Sequence, residues 1–596
     1  MRNRLLPAIL AAIMLAPVFF MHSCANTTEA PTGGDKDTIP PYIIGIKPAP
    51  STANVPVKGS KFEFIFNEYV TVKNGQNILL SPPQQKRPKY KVQGKSVIVS
   101  FEEDLKPNTT YTISFTDAIV DANESNPFPG YTYAFSTGEK VDSMLITGVV
   151  QDCIKLEPFK GATVLLYKDL ADSAVFLHRP DAIARTDAWG FFALPYIKDT
   201  CYRLYALKDA SNNNIYDPDN DLIAFVDSII RPVMVVRDSI PEMTNYEMAD
   251  TARCLARKQE YELNLFREKP SKQFLNNKVR TADRSAYITF MAPNAWIDTL
   301  WVRGYKNEEI ISEFNIMQDS LLIWLNSRKR APDTLHVFVN YRKTDSLGIL
   351  KPELEHLKLV QEGKKPSSRR SSYQERKNLK HEDTICVMKL SAAPETVEQY
   401  GFDLHFNFPI ISEKFDSVTL KSISPRQKET FEKFKVETDS LDLRHYIIKP
   451  DFKMMSGYEY ILKVPHRAFR DVNGFYSDSA EVKVSLPTSE KLSSLTLNLE
   501  GVDRKLIVDL LDEKAKVLRN FIVEKDCSLL FPYLQNGKVS IRITEDGNRN
   551  TIVDTGSVLE HRQPEKVVFV KFKDDKYLLI PESSDIEQNI NVKELL

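Results

Sequence analysis

Phenylalanine occupies every second position of the string FEFIF at residues 62–66, and this string decides the fold class. A period of two places alternate side chains on one face of an extended strand, so the three phenylalanines are expected to enter a core together. Apolar residues also alternate at residues 97–99, 111–113 and 539–543, and turn-forming residues separate such strings at short spacing. The sequence therefore predicts a mainly β chain built from sandwich-sized units.

The string and its following asparagine return 340 positions later as FDLHFN at residues 402–407. An apolar pair, a second strand and a turn that begins with aspartate follow each copy in the same order. The matched positions are Ile78/Leu80 with Val418/Leu420, 111–113 with 460–462, and 121–123 with 471–473. The shared order predicts two copies of one domain, with Phe64 and Leu404 on equivalent strands.

A second repeat follows each of these copies at an offset of 337. LPYI at residues 194–197 returns as FPYL at 531–534, and the alternating strand with aspartate at 202–209 returns at 539–546. Each half of the chain is therefore predicted to contain one sandwich followed by another.

Two regions resemble known families closely enough to be named. Residues 40–138 resemble an SbsA-type bacterial Ig-like domain, and residues 142–240 resemble a transthyretin-like or carboxypeptidase-regulatory-like domain. The strings that carry the two resemblances are FEFIFNEYV, LKPNTTYTI and YAFSTG for the first, and ITGVV, GATVL, TDAWGF and YRL for the second. Both families are β-sandwiches and generic modules of secreted bacterial proteins, which the resemblance implies for this chain.

The expected architecture is a series of tandem Ig-like and transthyretin-like β-sandwiches with short connecting helices. In chain order the predicted segments are a signal peptide (1–23), a flexible tether (24–39), an Ig-like domain (40–138), a transthyretin-like sandwich (142–240), a β-rich domain (259–360), a basic linker (361–384), a second Ig-like sandwich (385–488) and a second transthyretin-like domain (490–596). Short helices are expected at residues 249–257 and 351–360.

The N-terminal segment has the pattern of an export signal. Two arginines precede an apolar stretch at residues 5–21 that two prolines interrupt, whereas a membrane-spanning helix needs about 20 apolar residues. MHSC at 21–24 resembles the lipobox of bacterial lipoproteins, in which the cysteine thiol is acylated and becomes the new N-terminus, although His22 departs from the usual small residue. We expect Cys24 to be acylated; ordinary signal cleavage beside an incidental cysteine is the alternative.

Composition excludes several function classes. Lys and Arg number 79 against 80 Asp and Glu, so the net charge of −1 argues against a chain-wide surface for nucleic acid. Neither the G-x-G-x-x-G nor the G-x-x-x-x-G-K-[ST] phosphate loop occurs, and neither H-E-x-x-H nor G-x-S-x-G is present. The chain is therefore predicted not to be an enzyme.

The leading hypothesis is a non-catalytic cell-envelope protein anchored by lipid to the outer membrane, with a structural, binding or assembly role. Its expected partners are the membrane and envelope proteins or glycans. The sequence does not assign the protein to the periplasmic or the outer surface of that membrane. The alternative is a surface glycan- or peptide-active enzyme, or its substrate-binding subunit. For that alternative the four tryptophans would form a sugar-stacking face; core or sheet packing is the other interpretation of Trp296 and Trp301.

Two further features keep alternatives open. Residues 361–381 carry seven Lys and Arg against two Glu, which fits a solvated linker or a basic patch for an anionic partner. Cys153 and Cys201 fall within one predicted domain, where they form either a disulfide bond or two free thiols.

Two matched loops rich in Asp and Asn suggest weak calcium binding, and no other cofactor is predicted. Oxygen side chains at loop positions 1, 3, 5 and 9 and a carbonyl at 7 fit the first part of a calcium loop, although glycine at 6 and glutamate at 12 are missing. The alternative is a pair of turns whose side chains bond the backbone. The candidate ligands are Asp209, Ser211, Asn213, Ile215 and Asp217 in the first loop, and Asp546, Asn548, Asn550, Ile552 and Asp554 in the second.

Overall fold

The computed structural model describes residues 37–234, 261–327, 329, 331–360, 385–487, 492–573 and 575–596. Strands dominate this part of the chain, which confirms the predicted mainly β class. Its helical elements are the single turns α1 (Ala174–Leu177), α2 (Val397–Tyr400) and α3 (Val592–Leu595) and the 3-10 turns Gly75–Asn77, Asn307–Glu309 and Phe415–Ser417. Among these residues no helix is long and apolar enough to cross a membrane. Residues 37–143 lie in one compact unit, and 144–233 with 261–596 form a second.

The first sandwich lies in the first compact unit. Its strands are β1 (Ile43–Lys47), β2 (Lys61–Phe66), β3 (Val70–Val72), β4 (Leu79–Ser81), β5 (Lys89–Gln93), β6 (Ser96–Ser100), β7 (Thr110–Ser114), β8 (Ile119–Asp121) and β9 (Thr132–Ser136). They pair in the orders β1-β2-β6-β5, β4-β7-β9 and β3-β8. Phe62, Phe64 and Phe66 are all fully buried in its core, as their spacing predicts.

The second sandwich begins the second compact unit. Its strands are β10 (Met144–Asp152), β11 (Thr163–Tyr167), β12 (Ala182–Arg185), β13 (Phe191–Ile197), β14 (Arg203–Lys208), β15 (Leu222–Phe225), β16 (Val233–Met234) and β17 (Tyr261–Leu265). One sheet has the order β13-β10-β16, with β17 also paired to β10, and the other has the order β12-β11-β14-β15. The predicted boundary at residue 240 was wrong, because β17 pairs in parallel with β10. Gly148 permits this approach, since a Cβ there would collide with the carbonyl oxygen of Tyr261.

The third sandwich corrects a second expectation. Its strands are β18 (Leu275–Ala282), β19 (Ser285–Phe290), β20 (Ile297–Val302), β21 (Ile310–Phe314), β22 (Ser320–Leu325), β23 (Thr334–Thr344) and β24 (Leu350–Val360), in the orders β18-β19-β22-β21 and β20-β23-β24. The helix predicted at 351–360 was wrong, because this segment pairs with β23 along its whole length. Leu357 and Leu359, two positions apart, reach the core as a strand requires. The helix predicted at 249–257 lies outside the described residues.

The fourth sandwich repeats the topology of the first. Its strands are β25 (Met388–Ser391), β26 (Phe402–Phe406), β27 (Ile410–Glu413), β28 (Thr419–Ile423), β29 (Glu429–Glu432), β30 (Phe434–Thr438), β31 (His445–Pro450), β32 (Glu459–Val464), β33 (Phe469–Asp471) and β34 (Ala480–Ser485). The orders β25-β26-β31-β30, β28-β32-β34 and β27-β33 correspond to those of the first sandwich, with β29 added at one edge. Phe64 and Leu404 occupy equivalent strands, so the predicted equivalence is confirmed.

A shared tyrosine contact supports the same equivalence. The hydroxyl oxygen of Tyr111 accepts a hydrogen bond from the amide of Lys106 at 2.8 Å, five residues earlier. The hydroxyl oxygen of Tyr460 accepts one from the amide of Met455 at 2.7 Å, also five residues earlier. Both rings are buried. The duplication therefore extends from strand order to individual side-chain bonds.

The fifth sandwich repeats the second. Its strands are β35 (Ser493–Glu500), β36 (Leu506–Leu511), β37 (Val517–Val523), β38 (Cys527–Leu534), β39 (Gly537–Glu545), β40 (Val567–Phe569), β41 (Leu578–Ile580) and β42 (Asp585–Asn591). The order β37-β36-β39-β40 corresponds to β12-β11-β14-β15, and β42 lies parallel to β35 as β17 does to β10. Tyr196 and Tyr533, 337 positions apart, both have positive φ, at 60° and 58°.

Candidate functional site

The two Asp/Asn loops follow equivalent strands, β14 and β39, and close in the same way. In the first loop, Oδ2 of Asp209 accepts a hydrogen bond from the amide of Asn214 at 2.6 Å. In the second, Oδ2 of Asp546 accepts one from the amide of Thr551 at 2.9 Å. Both residues that donate have positive φ, at 59° and 66°. These are turns in which an aspartate side chain bonds the backbone, as the alternative interpretation expected.

One further carboxylate accepts two backbone hydrogen bonds from each loop. Asp221 accepts hydrogen bonds from the amides of Ala210 and Asp217, at 2.8 and 3.0 Å. Glu565 accepts the matching bonds from residues 547 and 554, both at 2.9 Å. Burial raises the pKa of both carboxyl groups. The sequence repeat did not reveal Glu565, because the second copy has a longer segment before this position.

Basic side chains of the protein contact both loops. Nζ of Lys269 lies 2.5 Å from Oδ1 of Asp554, whose other oxygen accepts from the side-chain amides of Asn548 and Asn550. Burial alone raises the pKa of Asp554, but the ammonium and the two amides outweigh it, so the pKa lies below its ordinary value. Arg267 donates to backbone carbonyls of the first loop. An internal cation therefore already neutralises Asp554 in the second loop.

The other predicted ligands also have protein partners. Oγ of Ser211 donates to Asp209 at 3.1 Å, and Asp217 accepts from the side-chain amide of Asn220 at 2.7 Å. Oδ1 of Asn213 accepts from the amide of Ile215, as Oδ1 of Asn550 does from that of Ile552. Among the residues that the structure describes, no group of three or more His, Cys, Asp or Glu is arranged to hold a metal. Calcium binding at either loop stays a prediction.

The segment between β17 and β18 joins the second and fifth sandwiches. Oε2 of Glu268 accepts a hydrogen bond from the hydroxyl of Tyr216 at 2.6 Å, and Oε1 accepts one from the amide of Val558 at 2.8 Å. Tyr216 and Val558 are buried in one apolar cluster with Phe266. His561 and Asp172 add a contact of 2.9 Å at the surface. The second and fifth sandwiches, which are separated in sequence by the third and fourth, are therefore in direct contact.

Two more contacts join the fourth sandwich to the third and to the fifth. The guanidinium of Arg444 in the fourth sandwich lies 5.7 Å from the ring centroid of Trp324 in the third. Arg519 in the fifth sandwich donates at 3.0 Å to the carbonyl of Glu395 in the fourth. The second sandwich thus contacts the fifth, the fifth contacts the fourth, and the fourth contacts the third.

A histidine and aspartate cluster lies close to the contact between the third and fourth sandwiches. His405 and His445 are opposite one another on β26 and β31. The ring nitrogens of His445 contact Asp403 at 2.5 Å and Asp439 at 3.1 Å, and His405 contacts Asp442 at 3.3 Å. Burial alone lowers the pKa of His445, but the two carboxylates outweigh it and the pKa is raised. Sequence spacing did not reveal this cluster, because sheet pairing brings the two histidines together.

An exposed row of rings crosses the sheet β20-β23-β24. The ring centroids of Trp301 and Phe338 are 5.1 Å apart with planes at 4°, and those of Phe338 and His356 are 4.4 Å apart with planes at 3°. The guanidinium of Arg303 lies 5.5 Å from the Phe338 centroid. Trp296 lies just before β20 and is 66% exposed. We call Trp296 and this row of three rings the aromatic face.

The four tryptophans differ in environment. Trp324 is buried in the third sandwich, whereas Trp189 and Trp296 are exposed. Core packing is therefore wrong for Trp296. Trp301 is 36% exposed and stacks on the outer surface of its sheet, which agrees with the sheet-packing interpretation and leaves part of the indole accessible.

The four described cysteines form no disulfide bond. Cys153, Cys201, Cys386 and Cys527 are free thiols, so Cys153 and Cys201 are not bridged. Burial raises the pKa of Cys153 to about 11 and that of Cys386 to about 12, which makes both thiols unreactive. Cys24, the predicted acylation site, lies outside the described residues.

Comparison with known families identifies one domain. The family model described as a bacterial Ig-like domain matches residues 37–137. The Ig-like resemblance of residues 40–138 is therefore confirmed, and the transthyretin-like and lipoprotein resemblances stay predictions. No curated protein matches the chain.

Solved structures with similarity to the chain share little sequence with it. The N-terminal part of the bacterial S-layer protein SbsC is 11% identical over 29% of this chain and 44% of its own, with a TM-score of 0.16. SbsC domains 1–6 are 10% identical over 91% and 66%, with a TM-score of 0.14. The Bacteroides ovatus protein SGBP-B, solved with a mixed-linkage heptasaccharide, is 8% identical over 66% and 88%, at 0.15. The chain thus spans less than two thirds of the two SbsC structures, and scores this low support no inference on function.

Proposed function

We propose that the chain is a non-catalytic, lipid-anchored protein of the bacterial cell envelope, held at the outer membrane by acylated Cys24. The observation that carries the anchor is the MHSC string at residues 21–24, which ends an apolar stretch and precedes a polar segment. Two or more acyl chains are needed for stable anchoring, and a triacylated cysteine supplies them.

The compact unit of four sandwiches supports a structural or binding role. Its inter-sandwich contacts, such as Glu268 with Tyr216 and Val558, favour a body that presents fixed surfaces over a flexible string. The bacterial Ig-like domain at residues 37–137 is compatible with the same role. The partner would be an envelope protein or a glycan, and nucleic acid is not expected because the net charge is −1.

The alternative is the substrate-binding subunit of a glycan- or peptide-active surface enzyme. The aromatic face favours the binding subunit, because its exposed indoles offer contact area for sugar rings.

Replacing Cys24 by alanine is expected to move the protein from the membrane to the soluble fraction, since the acyl chains would be lost. Detergent phase separation and incorporation of labelled palmitate measure this directly in cells. The matched control is Cys201→Ala, which removes a free thiol of the second sandwich and should leave partitioning unchanged. Equal membrane partitioning of Cys24→Ala and wild type would refute the anchor.

A further inference from the structure

We propose that the aromatic face of the third sandwich binds a glycan chain that carries acidic groups; the inference names the partner class of the binding role proposed above. It rests on the register of β20, β23 and β24, on the exposure of two indoles, and on the charges beside them.

The register places the three rings of the row on the outer side of the sheet. Trp301 is paired with Phe338, and Phe338 with His356. The neighbouring positions Val337 and Val339 are buried in the core, so the ring row faces away from it. Because β20 is an edge strand, one face of the Trp301 indole packs on Phe338 and the other lies at the open edge of the sheet.

Trp296 provides a second indole on the same side. The amide of Arg342 donates to the carbonyl of Trp296, which places Trp296 beside Arg342, four residues along β23 from Phe338. At about 3.3 Å per residue the two tryptophan positions are roughly 13 Å apart along the strand. Nε1 of Trp296 donates to Oδ1 of Asp298 at 3.1 Å, which orients the ring. Two indoles at this separation suit a chain of several sugar rings, whose C–H groups pack against the electron-rich faces.

The charge on this side of the sheet is positive. Asp298 is already paired with Arg342, at 3.2 Å. Arg303 and Lys358 have no ion pair with any residue in the described part of the chain. Burial lowers the pKa of His356, and the neighbouring His336, Lys358 and Arg303 lower it further. Carboxylate, phosphate or sulfate groups on a sugar would complement Arg303 and Lys358.

The ring arrangement favours a glycan over single-stranded nucleic acid. Successive nucleobases stack on successive free ring faces. Here Phe338 is covered on one face by Trp301 and on the other by His356, so the centre of the row offers ring edges only. The free indole faces at Trp296 and Trp301 are widely separated, which suits sugar rings along a chain.

The test measures binding of the full chain to polygalacturonate, dextran sulfate, neutral dextran and poly(dT) by isothermal titration calorimetry. Trp296→Ala and Trp301→Ala are each expected to weaken binding to an anionic glycan about tenfold. Joint replacement of Arg303 and Lys358 by alanine should weaken it further and flatten its salt dependence. Trp189→Ala is the matched control, because Trp189 is an equally exposed tryptophan (69%) in the second sandwich.

Each outcome decides the proposal. Binding to either anionic glycan that depends on Trp296 and Trp301 supports it, and the preferred polymer identifies the acidic group. Equal binding to neutral dextran, preference for poly(dT), an unchanged affinity in both tryptophan variants, or no binding to either anionic glycan overturns it. Circular dichroism confirms that each variant is folded. Because the Cys24→Ala experiment measures location alone, failure of this proposal and failure of the anchor are distinguished.

Discussion

Replacing Phe64 by alanine is expected to lower the free energy of unfolding of the first sandwich by about 3–5 kcal/mol. The ring is fully buried, and its centroid lies 4.6 Å from that of Phe115 and 5.5 Å from that of Tyr133. Truncation would remove these edge-to-face contacts and leave a cavity between the two sheets. The surrounding side chains are closely packed and cannot fill it.

Hydrogen exchange measured by mass spectrometry checks this result strand by strand. Protection of β7 and β9, which carry the opposing core residues, should fall in the Phe64→Ala chain. Lys61→Ala, an exposed position on the same strand, is the control and should change stability by less than about 0.5 kcal/mol. A loss below 1 kcal/mol for Phe64→Ala would contradict the assignment of this string to the core.

Replacing Glu268 by alanine is expected to destabilise the second compact unit by about 2–6 kcal/mol. The change would remove the acceptors of the Tyr216 hydroxyl and the Val558 amide, both in buried residues. A buried donor left without a partner costs about 1–3 kcal/mol, and here two donors lose theirs.

Urea unfolding followed by tryptophan fluorescence measures this effect, since all four tryptophans lie in the second and third sandwiches. Glu268→Gln keeps one acceptor oxygen and should lose less stability to urea than Glu268→Ala. Glu560→Ala, whose side chain is 67% exposed, is the matched control. If Glu268→Ala and Glu560→Ala unfold at the same urea concentration, the contact between the sandwiches does not stabilise the unit.

The strand content and the duplication could be predicted because both depend on local periodicity. The string at 62–66 and its copy at 402–406 have buried side chains at every second position, and this alternation can be recognised in a single sequence. Local periodicity gave the wrong element for residues 351–360. Leu354 and Leu357 have the spacing of a helix, whereas Leu357 and Leu359 have the spacing of a strand. Pairing with β23 decided between them, and pairing is not a local property.

The candidate sites were harder to predict because their partners are distant in sequence. The spacing of asparagine and aspartate allowed both loops to be interpreted as turns, since those side chains bond the backbone a few residues away. Lys269 contacts Asp554 from 285 positions away, and His336 contacts His356 across two strands at 2.8 Å. Such contacts follow from the sheet register and from the packing of sandwiches, which a single sequence does not encode in any short pattern.

Cross-linking tests most directly whether the four sandwiches after residue 143 form one body. Asp172 and His561 are 389 positions apart, yet their side chains lie 2.9 Å from each other. With cysteine at both positions in the full chain, a short bis-maleimide at dilute protein concentration is expected to give an intramolecular link between the two peptides, identified by mass spectrometry. Recovery of only intermolecular links, or of no link between these positions, would show that the sandwiches form an open series instead.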